Sequence, residues 1–151
     1  MAATLGSIAT PIVVTASLDT TAVRAAQLMR EHHVGALIVV DAQADSGGAV
    51  GIVTDRDLVL AVMAEELDPA LFTVGDVMTV ELVTASVDVD VFDAVALLGR
   101  HRLRRLIVCD AAGRLFGIAT LEDMLATLAA GLGTLSAALA GARDRERKER
   151  R

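Results

Sequence analysis

The chain contains the same unit twice. Val14-Thr15-Ala16-Ser17 returns as Val83-Thr84-Ala85-Ser86, and the same displacement of 69 residues carries Asp19 to Asp88, Ala25 to Ala94, Leu28 to Leu97, His32 to His101, Leu37-Ile38-Val39 to Leu106-Ile107-Val108 and Asp41 to Asp110. A single register over so long a span marks a duplicated structural unit, which limits the possible folds more than local propensity does. Beyond Asp110 the displacement drops to 66, and Gly51-Ile52-Val53-Thr54-Asp55-Arg56-Asp57 returns as Gly117-Ile118-Ala119-Thr120-Leu121-Glu122-Asp123. The missing three residues fall in a loop, where Gln43-Ala44-Asp45-Ser46-Gly47-Gly48 faces Ala111-Ala112-Gly113.

Each copy reads as β-α-β-β-α. Residues 1–9 read as a loose lead-in, and Thr10-Pro11-Ile12-Val13-Val14-Thr15 has the β-branched character of a short strand. Asp19-Thr20-Thr21 supplies capping side chains for a helix over about 21–33, whose apolar face is Val23, Ala26, Leu28, Met29 and Val34. Ala36 to Val40 is continuously apolar, as a strand covered on both faces should be. Ala49 to Val53 is the next strand and Asp55 to about Glu66 the next helix, with Leu58, Val59, Val62 and Met63 inward; Asp68-Pro69 ends the unit. The second copy repeats this order with Leu82-Val83-Thr84, a helix over about 90–102, strands over 105–109 and 115–119, and a helix over 121–130. The expected division is therefore repeat 1 over 1–67, repeat 2 over 68–131, and a C-terminal helix with a charged tail over 132–151. In that last part Gly131 and Gly133 separate the duplication from a helix over 135–142, and Asp144–Lys148 and Glu146–Arg150 stand in the favourable i,i+4 order. Half of such a chain buries too little apolar surface alone, so the halves are expected to pack together.

Composition narrows the function. The core must be aliphatic, because aromatic residues make up 2% of the chain. No uninterrupted apolar run approaches the roughly 20 residues of a membrane span, and no charged-then-apolar leader opens the chain. A single cysteine, Cys109, excludes an internal disulfide framework, fits a reducing cytoplasm, and reads as a small buried residue ending a strand. Residues 143–151 hold six basic and three acidic side chains, so the −6 of the whole chain divides into +3 for the tail and −9 for the body. An acidic body argues against a nucleic-acid surface. His32, His33 and His101 fall at helix ends without zinc-site spacing, so no metal is expected.

The chemistry lies at the end of each copy. Thr54-x-x-Asp57 and Thr120-x-x-Asp123 have capping-box spacing, in which the threonine hydroxyl accepts from a helix N–H and the carboxylate reaches back to the threonine N–H. The same groups suit a ligand: the hydroxyl donates or accepts, and a carboxylate accepts from two vicinal hydroxyls. No nucleophile with a base, no metal set and no Walker loop accompanies them, so the chain reads as a binding protein and not an enzyme.

Two β-α-β-β-α copies, each carrying G-h-x-T-x-x-D before its last helix, resemble a tandem pair of CBS domains, the regulatory repeat of the cystathionine-β-synthase type, also called a Bateman module. Asp76-Val77-Met78-Thr79, Phe92-Asp93-Ala94-Val95 and Arg104-Arg105-Leu106-Ile107-Val108 match the same pattern, and the resemblance covers about residues 5–130. It implies an α/β (α+β) fold in which two repeats pack about a pseudo-twofold axis and leave two clefts for adenosine-containing ligands. Carried over by position, Thr54 and Asp57 would serve one cleft and Thr120 and Asp123 the other. The aspartates would hold ribose hydroxyls, and the threonines would bond ribose or phosphate. Adenine would lie near Val14, Thr15 and Ile52 in one copy and near Val83, Thr84 and Ile118 in the other.

Arg104 and Arg105 stand in the family's phosphate-facing place, whereas the first copy has Gly35 and Ala36 there, so the two clefts are expected to be unequal. The resemblance thus implies a cytoplasmic, stand-alone regulatory protein, with no required cofactor. It would bind AMP, ADP or ATP, with S-adenosylmethionine a further possibility, sense energy state, and signal to a partner protein that the sequence does not identify. A homodimer formed through the repeat helices is also implied. The alternative is a structural dimerisation module with vestigial clefts.

Overall fold

The computed structural model describes residues 3–11, 14–44 and 48–149. Ile12, Val13, the loop residues Asp45, Ser46 and Gly47, and Arg150 of the expected Glu146–Arg150 pair lie outside them. The elements in chain order are α1 Leu5–Ile8, β1 Thr10–Pro11, β2 Thr15–Ser17, α2 Ala22–His32, β3 Ala36–Val40, β4 Ala49–Thr54, α3 Asp55–Leu58, α4 Val74–Val77, β5 Thr84–Ser86, α5 Val91–His101, β6 Arg105–Cys109, β7 Leu115–Thr120 and α6 Leu121–Glu149. α3 runs on as a π-helical turn over Val59–Met63 and stops there, with Glu66 in the left-handed region at φ 55°. The helix expected to reach Glu66 is therefore shorter.

The two halves form separate sheets. β2, β3 and β4 make one, with β2 parallel and β4 antiparallel to the central β3. β5, β6 and β7 repeat the arrangement, and β1 adds to β7 as a fourth strand. The central strands are buried on both faces, which explains why they read as continuous apolar runs rather than alternating ones. α2 starts at Thr21, whose hydroxyl accepts from the Arg24 N–H at 3.2 Å, and α5 starts at Asp90, whose carboxylate accepts from the Phe92 N–H at 2.8 Å.

The lead-in is not loose. Residues 5–8 form α1, and Leu5 is fully buried among Val91, Ala94, Leu98, Leu106 and Met124 of the second repeat. Its counterpart 69 residues on, Val74 of α4, is fully buried among Ala16, Ala25, Leu37 and Val53 of the first repeat. The hydrogen bonds match as well: Leu5 N–H donates to Val89 C=O at 2.9 Å, and Val74 N–H donates to Thr20 C=O at 2.7 Å. Each short helix thus closes the core of the repeat it does not precede. A four-residue helix has too few internal bonds to persist alone, so burial of Leu5 or Val74, with Ile8 or Val77 packed beside it, holds it in place. Between the sheets a third cluster forms from Ile38, Ile107 and Cys109, with Ile52, Leu82 and Ile118 packed against it. Cys109 is buried, and desolvation first, then the neighbouring Asp110 carboxylate, pushes its thiol above the ordinary value.

The C-terminal part differs from the expected break. α6 continues as one helix through Gly131, Gly133 and Gly141, because the alanines and leucines between them favour helix strongly enough to carry it. By length and composition it is also apolar enough to cross a membrane, with a mean hydropathy of 1.6 over 18 residues, although no uninterrupted apolar run in it approaches 20 residues. The glycines and hydroxyl residues interrupt the apolar run in sequence, but residues 124–142 carry no charge. Among the described residues of the tail the ion pair formed is Arg145 Nε to Glu149 at 2.9 Å.

Candidate functional site

The two T-x-x-D motifs form capping boxes. Asp57 N–H donates to Thr54 Oγ1 at 3.1 Å, and Thr54 N–H donates to Asp57 Oδ2 at 2.8 Å. In the second copy Asp123 N–H donates to Thr120 Oγ1 at 3.1 Å, and Asp123 Oδ2 accepts from the Thr120 N–H at 2.9 Å and the Thr120 hydroxyl at 2.7 Å. One carboxylate oxygen is occupied in each box. At Asp57 this fixes a side chain that lines a cleft, and its second oxygen accepts no hydrogen bond among the described residues.

That cleft, about 540 Å³, lies between the repeats. Ile52, Thr54, Arg56 and Asp57 come from the first repeat, and Leu82, Val83, Arg102, Arg104, Arg105 and Ile107 from the second, with Thr79 and Glu81 from the connection. The other cleft is about 320 Å³ and is lined by Thr10, Pro11, Val14, Val34, Gly35, Ala36, Arg105, Ile118 and Thr120. The grouping therefore crosses the copies. Val14 sits with Ile118 and Thr120, and Val83 with Ile52, Thr54 and Asp57, where the sequence reading paired each apolar residue with its own copy. The reason is the exchange of lead-ins. Thr10 and Pro11 pair with Ile118 and Gly117, and Thr79 bridges to Ile52, so each repeat's last strand faces the opposite repeat's first.

Thr15, Thr84 and Asp123 line neither cleft. Thr15 pairs with Ile38 on β3 and Thr84 with Ile107 on β6, each on the edge strand of its sheet, half-buried at Thr15 and exposed at Thr84. The cleft residues missed from sequence include Arg56 and Thr79. Thr79 had a readable signal, since it is the 69-residue counterpart of Thr10.

Charge separates the clefts. Among the described residues four arginines, Arg56, Arg102, Arg104 and Arg105, line the larger one against two carboxylates, Asp57 and Glu81, whereas Arg105 is the charged residue lining the smaller. Gly35 and Ala36 stand in the smaller cleft at the register where the larger has Arg104 and Arg105, as the repeat alignment requires. Glu122, at the start of α6, forms an exposed ion pair with Arg104. Its carboxyl is held below the usual range, first by its own backbone N–H and then by Arg104.

The model of the CBS-domain family matches residues 5–64 and 74–130, once over each copy. The chain belongs to the CBS-domain family. It carries a tandem CBS pair, and relatives support the assignment along most of its length. A Methanopyrus kandleri protein, MK0525, is 36% identical over 121 residues, which is 80% of this chain and 60% of that protein. The chain thus spans three fifths of that relative's length. Among solved structures, CBSX2 in complex with AMP superposes with a TM-score of 0.64 at 30% identity, covering 83% of this chain and 95% of that one. The CBS domain of a bacterial CNNM/CorC family Mg2+ transporter in complex with ATP gives 0.69 at 25% identity, covering 81% and 84%.

Proposed function

We propose that this CBS pair is a cytoplasmic regulatory module that binds an adenine nucleotide in the larger cleft and passes the bound state to a partner protein. The observation that carries the reading is the crossing of the copies. It sets Thr54 and Asp57, suited to ribose hydroxyls, opposite Arg102, Arg104 and Arg105, suited to phosphate. Ile52, Val83 and Ile107 supply an apolar wall for a base. A cleft of about 540 Å³ is in the range of small-molecule sites. Complexes of CBSX2 with AMP and of the CNNM/CorC CBS domain with ATP support the ligand class. The smaller cleft, nearly without charge, suits an uncharged nucleoside better than a nucleotide. Ligand bound across both repeats would hold them in one relative position, and that position is the signal.

The test is a thermal-shift titration with AMP, ADP, ATP, S-adenosylmethionine and cyclic dinucleotides. Ligand at a hundred times its Kd stabilises by about 2.7 kcal/mol, a rise of roughly 5–10 °C for a domain of this size. Asp57→Ala should abolish the rise and Asp123→Ala should retain it, each read against the variant's own melting point because both remove a cap. No shift with any of these ligands would overturn the reading. A second reading, self-association with idle clefts, draws on the exposed Val59, Leu60 and Met63 along the repeat 1 helix, and a stable dimer that ignores every ligand would favour it.

A further inference from the structure

The first two turns of α6 belong to the body, where Met124 is fully buried and Leu128 packs beside it. Beyond Ala129 the helix leaves the body and every described residue is exposed. This projecting part still carries a leucine pattern. Leucine stands at 121, 125, 128, 132, 135 and 139, in alternating steps of four and three, with Ala142 next. Such steps are the 3.5-residue heptad of helices that pair. Leu125, Leu132, Leu135 and Leu139 are 66%, 68%, 58% and 54% exposed. The positions beside the stripe, Ala129, Gly131, Ser136 and Ala138, are small enough for a second helix to lie close.

We propose that α6 pairs antiparallel with α6 of a second copy through this leucine stripe. The heptad register sets Leu132 against Leu135 of the second copy and Leu128 against its Leu139. That second leucine covers an apolar groove of about 600 Å³ that the stripe shares with Val91 and the exposed Phe92. Charge fixes the direction. α6 begins with Glu122 and Asp123, and residues 143–151 at its other end carry a net charge of +3, six basic side chains with Asp144, Glu146 and Glu149 among them. An antiparallel pair brings Arg143 of one copy beside Glu122 of the other, whereas a parallel pair stacks the basic ends on each other. The helix dipoles also oppose favourably.

A lipid bilayer fits the same helix poorly. The charge-free stretch starts at Met124, which the core holds, so only residues 129–142 are free to insert. At 1.5 Å per residue they span about 21 Å, short of a hydrocarbon core of about 30 Å. Their face opposite the leucines is glycine, alanine and threonine, and a spanning helix has no need of a heptad.

Sedimentation equilibrium of the full chain decides it. Leu132→Asp with Leu139→Asp should halve the mass of the wild-type assembly while leaving the body's melting transition in place, because both side chains lie outside the core. For orientation, an Ala129→Cys chain is mixed with a Ser136→Cys chain and oxidised. The expected product is the mixed 129–136 cross-link, with little from either chain alone. An unchanged mass in the aspartate variant, or cross-linking of each cysteine chain to itself, would overturn the proposal. So would a monomeric wild type, and one that sediments with phosphatidylcholine–phosphatidylglycerol vesicles would assign the stripe to a lipid surface instead.

Discussion

Ile52 and Thr79 exchange both backbone hydrogen bonds, Ile52 N–H to Thr79 C=O at 3.0 Å and Thr79 N–H to Ile52 C=O at 2.9 Å. Thr10 and Ile118 are paired in the same sense at the symmetric place. These two contacts clip each lead-in to the other repeat's last strand and pass directly over Gly51 and Gly117, the glycines that open the two G-h-x-T-x-x-D motifs.

Substituting those glycines should therefore have unequal effects. A Cβ at Gly117 would meet the Thr10 carbonyl oxygen and, at 3.2 Å, Pro11 Cα, both backbone. At Gly51 it would meet the Met78 sulfur, the end of a flexible side chain, with Thr79 O at 3.1 Å. Gly117→Ala should displace β1 and cost about 1–3 kcal/mol as overpacking does, and Gly51→Ala should cost less. Urea unfolding of the two variants checks the order, and equal costs would count against the clip.

Leu5→Ala should cost about 2–5 kcal/mol, the range for emptying a fully buried leucine site. The location of the damage is the sharper expectation. Amide exchange should accelerate in β6 and β7, whose Leu106, Val108 and Ala119 share a cluster with Leu5, more than in β3 and β4. Faster exchange confined to the first repeat would mean that α1 serves the repeat it precedes.

Much of this fold was legible because burial leaves a pattern. β3 and β6 declared themselves as apolar runs, α2 through its capping residues and α5 through the matched register, and β4 and β7 through the glycine within each and the threonine at its end. The crossing did not show. Leu5-Gly6-Ser7-Ile8 and Val74-Gly75-Asp76-Val77 share only one identity, and a four-residue helix has no periodicity to read. The site was half legible for the same reason. Thr54-x-x-Asp57 states its own local geometry, but which arginines face it depends on how the repeats cross, and that lies in the exchanged lead-ins, Thr10 on Ile118 and Thr79 on Ile52, rather than in any motif. α6 was broken too early because glycines were read as stops, when their leucine and alanine neighbours keep the helix going.

Asp110 ties the β6–β7 turn. Its carboxylate accepts from the Ala112 and Arg114 N–H groups at 2.9 Å each and from Arg114 Nε at 3.0 Å. These bonds, the Arg114 backbone N–H foremost, hold its carboxyl below the ordinary value. A carboxylate lowered on folding stabilises the fold above its unfolded value, near pH 4, and that contribution disappears as pH falls through the lowered folded value. Asp110→Asn should therefore be less stable than the wild type at neutral pH, with the gap narrowing below about pH 4. Unfolding in urea at pH 7, 5 and 3 measures it, and a gap independent of pH would show that the charge contributes nothing.

Arg105 lines both clefts, which gives it a role no other described residue shares. It opens β6 opposite Thr120, exposed, with the larger cleft on one side and the smaller on the other. In the larger cleft it adds to Arg56, Arg102 and Arg104, so Arg105→Ala should weaken a nucleotide without abolishing it. A hydrogen bond to a charged group contributes about 1.5–3 kcal/mol, and solvent screening at an exposed site puts Arg105 at or below the lower end, about fivefold to tenfold in Kd. The loss should fall on the phosphate, so the preference for AMP over adenosine in the larger cleft should shrink by the same factor. Adenosine binding should hardly change, since Ile52, Thr54, Asp57 and Val83 remain. Calorimetric titration of AMP and adenosine into wild type and Arg105→Ala separates the two, and an equal loss for both ligands would mean that Arg105 shapes the cleft rather than holding the phosphate.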